Sequence, residues 1–119
     1  MKQLLLVGAC LLLAGCGGKA TTEWVAQLRD KDSAQRLRAI KALGEKRSEP
    51  DTVVPALAQA LSDENAFVRR DAARALGRFG PAALSAVPDL RVAAKDRNQH
   101  VRQAATEALQ IIAPDDRKK

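Results

Sequence analysis

Apolar residues recur at helical spacing through most of the chain. Val68, Ala72, Ala75, Leu76 and Phe79 form one stripe of three- and four-residue steps, and Val101, Ala105, Ala108, Leu109 and Ile112 repeat it. Such steps line one face of an α-helix, so each stripe predicts a helix. Leu57 and Leu61, four apart, predict a shorter helix ahead of the first stripe. Shifted by 33 residues, the sequence superposes on itself three times. Asp30, Asp63 and Asp96 coincide, as do Arg36, Arg69 and Arg102, then Ala39, Ala72 and Ala105, then Leu43, Leu76 and Leu109. Trp24, Leu57 and Leu90 share one apolar slot, and Leu28, Leu61 and Ala94 another. A fixed period in this range marks a solenoid. The predicted fold class is all-α, a short α-solenoid of three helix pairs, with units at about 22–47, 52–80 and 85–113.

Local signals divide each unit. Asp32, Asn65 and Asn98 precede the second helices and are of the residue types that cap exposed helix N–H groups. Thr52 is expected to cap the first helix of the middle unit, with Pro55 in its first turn, and Ser85 with Pro88 repeats the arrangement. Gly77 and Gly80-Pro81 are read as the stop of the middle unit's second helix. Gln35 and Lys46 replace apolar residues in the first unit, and Thr106 and Glu107 replace Ala73 and Arg74 in the third, which suits polar end caps. Pro114 stops the last helix and residues 114–119 form a charged tail.

The run Val68-Arg69-Arg70-Asp71-Ala72-Ala73-Arg74-Ala75-Leu76-Gly77, with the unit opening Ala86-Val87-Pro88-Asp89-Leu90, resembles HEAT repeats of the short type first described in phycobilin lyases. The resemblance covers about residues 22–113. It implies a structural ladder between units, built from Asp30, Asp63, Asp96, Arg36, Arg69 and Arg102. By position, Asp30 is expected to reach Arg69, and Asp63 to reach Arg102.

The chain opens differently. Met1-Lys2 is followed by an apolar run from Leu4 to Leu13 and then by Leu13-Ala14-Gly15-Cys16. This resembles the lipobox of a bacterial lipoprotein signal peptide. The resemblance implies that residues 1–15 are removed, that Cys16 carries a covalent lipid, and that residues 16–21 are a short tether. No other cofactor is expected. The competing reading is an ordinary secretory signal with an incidental Cys. A lipidated chain would stand outside the cytoplasm, on the periplasmic face of the outer membrane in a Gram-negative cell. Cys10 would leave with the signal, so no disulfide is expected in the mature chain.

Composition narrows the function classes. The formal net charge is +6, and aromatic residues make up 3% of the chain with no Tyr, which gives no stacking platform for nucleic acid. Nucleic acid is excluded further by the expected compartment. His100 is the single imidazole and no second ligand accompanies it, so a zinc site is not expected and His100 reads as a surface or cap residue. Ser33, Ser48, Ser62 and Ser85 have no His beside them in the repeat register, so no triad is built and no catalytic residue is assigned. No enzyme, no bilin attachment and no small-molecule substrate follow from this. Trp24 opens the first unit in a core or cap slot.

Arg70, Arg74 and Arg78 recur every fourth residue on one helix face, with Arg38 and Lys41 on the neighbouring unit. They are the candidate partner-binding residues; the alternative is a solvated helix face. The expected function is a membrane-anchored HEAT-repeat lipoprotein acting as a protein-binding scaffold or assembly factor on an unidentified envelope protein. The alternative is a basic adaptor reading anionic lipid, and an enzyme or lyase-related subunit comes third.

Overall fold

A computed structural model describes residues 18–115; the lipobox, Cys16 and the end of the charged tail lie outside them. Among the described residues six α-helices follow one another: α1 (Thr21–Gln27), α2 (Ser33–Gly44), α3 (Pro50–Ala60), α4 (Ala66–Phe79), α5 (Val87–Ala93) and α6 (Gln99–Ile112). A 3-10 segment, Gly80–Ala86, joins α4 to α5. Among the described residues there is no strand, and no helix is long and apolar enough to cross a membrane. The pairs α1/α2, α3/α4 and α5/α6 stack in chain order, with second helices against second helices. This is the all-α solenoid that the period predicts. The core holds Leu57, Leu76, Leu90, Val68 and Val101, all fully buried, between small residues such as Ala39, Ala72 and Ala105 that let the helices approach.

The second helices start where the sequence places their caps. The Asp32 carboxylate accepts from the N–H of Ala34, and the Asn65 side chain accepts from Phe67 and Val68. Asn98 does the same for His100 and Val101. The first helices differ from expectation. Helix α3 begins at Pro50, and the Glu49 carbonyl accepts from Thr52 and Val53, so Thr52 is helical and Pro55 lies inside the helix. Proline's fixed φ prepares a first helical turn, and Pro50 takes that place before Thr52 can cap. Pro55 has no N–H to offer the carbonyl of Asp51, an exposed residue. Ser85 makes no cap bond either, because the 3-10 segment runs directly into α5.

Gly77 does not end α4, which continues to Phe79 and stops at Gly80, whose φ of 56° suits glycine. Gly77 sits against α6 instead. A side-chain carbon on it would lie 3.5 Å from both Cα and Cβ of Ala108. One period earlier, a carbon on Gly44 would lie 3.4 Å from the Ala75 Cβ. These glycines set how closely the second helices pack.

The ladder is present, but its rungs run opposite to the expected pairing. Arg36 Nε lies 2.9 Å from Asp63 Oδ2, and its Nη2 lies 3.1 Å from Asp63 Oδ1. Arg69 grips Asp96 in the same way, at 2.8 and 3.1 Å. Each arginine therefore reaches forward to the aspartate of the next unit; the Asp30–Arg69 and Asp63–Arg102 pairs do not form. Helical side chains lean toward the N-terminus of their helix. That brings Nη1 onto the loop carbonyls of the arginine's own unit, Asp30 and Lys31 for Arg36, and Asp63 and Glu64 for Arg69. The remaining edge of the guanidinium then faces the following loop. Arg36 and Arg69 are buried in consequence.

Candidate functional site

Helices α2 and α4 lie side by side, and a groove of about 440 Å³ runs between them. Its apolar floor is Leu37 and Ile40 from α2 and Ala75 from α4. All five cations singled out in the sequence meet there: Arg38 and Lys41 from α2, and Arg70, Arg74 and Arg78 from α4. The helical repeat explains the alignment, since residues three or four apart share a face. Two acids also line the groove, Glu45 and Asp71, and sequence reasoning did not assign them a role.

Those acids divide the cations into two groups. Arg70 Nε lies 2.8 Å from Asp71 Oδ1, and its guanidinium stands 5.2 Å from the centre of the Phe67 ring. Arg78 Nη1 lies 3.4 Å from Glu45 Oε1. Arg38, Lys41 and Arg74 are exposed and make no side-chain hydrogen bond or ion pair among the described residues. The signal for one partner was readable: Glu45 and Arg78 are one period apart, and equivalent positions of stacked units face each other. The groove thus combines an apolar floor, two arginines paired with neighbouring acids, and three uncommitted cations. Such a surface can hold the carboxylates of a ligand whose body is apolar.

The other residues of interest lie apart. His100 is exposed near the start of α6. Trp24 is half-buried against the core, with Lys19 Nζ 4.8 Å from its ring centre. Among the described residues no cluster of His, Cys, Asp or Glu could hold a metal ion. At the ladder, burial opposes ionisation of Asp96. The hydrogen bonds from Arg69 and from the Asn98 N–H, with the charges of Arg69 and Arg97, outweigh it and hold the carboxyl below its ordinary range.

The family described as HEAT repeats matches residues 21–110. Among solved structures, the chain is similar to one in the complex of CpcE and CpcF of phycocyanin lyase from Nostoc sp. PCC7120. The two share 32% sequence identity with a TM-score of 0.72, over 82% of this chain and 40% of that one. The chain therefore spans well under half the length of that relative. No curated protein matches it. This likeness overturns the expected scaffold or assembly factor of the envelope, and with it the expectation that the chain has no enzymatic role. The sequence reasoning searched for nucleophiles and proton-transfer groups. Catalysis by positioning and charge stabilisation requires no such group, only well-placed cations. The expected absence of a small-molecule substrate has no support, since the groove falls within the size range of small-ligand sites. From its 33-residue period, its Arg–Asp rungs and the match over residues 21–110, the chain belongs to the HEAT-repeat family.

Proposed function

We propose that the chain is a lyase-related HEAT-repeat subunit that holds an anionic, partly apolar substrate in the α2–α4 groove and works with a second protein. The observation that carries this reading is the groove itself, a cationic wall over an apolar floor, in a chain 32% identical to part of a phycocyanin lyase complex. That neighbour is a complex of two proteins, which supports a protein partner here. Arg38, Lys41 and Arg74 would bind the substrate's carboxylates, while Leu37, Ile40 and Ala75 would take its apolar edge. Asp71 and the Phe67 ring hold Arg70, so this arginine orients the substrate, while Arg78, in an exposed pair with Glu45, adds attraction. Cations held near the reacting bond stabilise negative charge as it develops, and a partner closing over the exposed groove excludes water.

Optical titration of the chain with biliverdin, a linear tetrapyrrole dicarboxylate, tests the reading. Saturable binding that weakens with salt is expected; no binding in low salt would sink it. A lipid on Cys16, and a place outside the cytoplasm, are separate proposals that rest on residues 1–16 alone. Cells fed labelled palmitate should incorporate it into this chain and not into Cys16→Ala. Equal labelling, or none, contradicts the anchor.

A further inference from the structure

The ladder leaves one half-rung at each end of the described array. Asp63 and Asp96 each accept a backbone N–H through Oδ1, from Asn65 and Asn98, and present both oxygens to an arginine of the preceding unit. Asp30 has the same posture. Its Oδ1 accepts from the N–H of Asp32 at 2.9 Å, but no arginine among the described residues reaches it. At the other end, Arg102 donates from Nη1 to the Asp96 carbonyl at 2.8 Å, as Arg36 and Arg69 do to their own loops. Its Nε and Nη2, the edge that grips the next aspartate in the other two, have no partner among the described residues, and Arg102 is exposed.

The surroundings of the two half-rungs carry one further pair of opposite charges, while Lys31 stands beside Asp30 as Arg97 stands beside Asp96 in a rung that does form. On the outer side, Val25, Leu28 and Arg29 of the first unit face Ala56, Gln59, Ala60 and Asp63 of the second. Carried along the period, the position of Arg29 becomes Lys95 on the last unit, and that of Ala56 becomes Glu23 on the first. The trailing face thus carries Lys95 and Arg102, and the leading face carries Glu23 and Asp30, all four exposed.

We infer that two copies of this chain associate head to tail, with Arg102 of one gripping Asp30 of the other as a further rung of the ladder. This goes beyond the proposed function, and neither residue lines the groove. Thr106 and Gln110 stand on the trailing face where Ala73 and Gly77 pack closely inside the array. The joint is therefore wetter than an internal one and belongs with weak, salt-sensitive contacts.

Sedimentation of the purified full chain, in density-matched detergent, tests this. Its weight-average mass should rise between about 10 µM and 1 mM and fall back in about 0.5 M salt. Arg102→Glu alone and Asp30→Asn alone should each remain monomeric, with helical circular dichroism unchanged. A heterologous joint makes a specific demand on their mixture. The first variant keeps a sound leading face and the second a sound trailing face, so the mixture should form dimers and stop there. A native chain that stays monomeric to about 1 mM, variants that associate as the native chain does, or a mixture that stays monomeric would each overturn the inference.

Discussion

Arg69→Ala should lower the unfolding free energy by about 3–5 kcal/mol, the range for breaking a buried ion pair by removing one partner. The side chains of the pair are only 7% and 12% exposed. Truncation removes the Arg69 donors from both Asp96 oxygens and from the carbonyls of Asp63 and Glu64 at once, leaving Asp96 only the Asn98 N–H. At roughly 4–8 °C per kcal/mol for a domain of this size, the melting temperature should drop by about 12 °C or more. Arg102→Ala is the matched control. It occupies the same repeat position but is exposed and bound only to one carbonyl, so it should cost under about 1 kcal/mol. The difference should depend on pH. The carboxyl of Asp96 titrates below its ordinary value in the folded chain. Its contribution is therefore complete above the unfolded value and is lost as pH falls through the folded one. Native chain and Arg69→Ala should converge in stability in strong acid, read by thermal melts at successive pH values.

Much of this was legible in the sequence because a repeat turns one dimension into three. The 33-residue period assigned the helix pairs, and the three Asp–Arg registers named the ladder's members before any coordinates. The direction of its rungs was not legible. It depends on which edge of each guanidinium is already taken by the loop carbonyls of its own unit, a choice that composition and spacing do not encode. Gly77 was misread for a related reason. Along the chain a glycine near a helix end reads as a stop, whereas its partner here is Ala108, on the next unit. Pro50 displaced Thr52 as the start of α3 because two competent start signals lay within a few residues. The five cations of the groove were found because helical spacing aligns them. That Asp71 and Glu45 hold two of them was missed, although the Glu45–Arg78 pairing follows from the period. The functional expectation failed in what it made of those cations: they were read as a protein-binding surface, and the lack of a reactive side-chain set as the lack of an enzymatic role.

Reversing two uncommitted cations should remove most of the groove's affinity. Each charge-assisted contact contributes about 1.5–3 kcal/mol, so Arg38→Glu with Arg74→Glu should weaken biliverdin binding by about 100-fold or more. Lys31→Glu with Lys95→Glu changes the net charge equally at exposed positions outside the groove. That pair should shift affinity only through long-range screening and lose even this effect at high salt. Arg70→Gln should fall between, because Asp71 and Phe67 already hold that guanidinium. Titrations at two salt concentrations separate the three cases. Equal losses in both double variants would mean that only net charge matters and that the groove has no local role.

The most direct measurement of the central claim is a backbone amide spectrum of the chain recorded across a biliverdin titration. The account predicts that perturbations concentrate on residues 37–45 and 70–78, the two segments that line the groove, with α5 and the exposed face of α3 unmoved. Perturbations centred on α5, or spread without preference over the surface, would contradict a substrate site between α2 and α4.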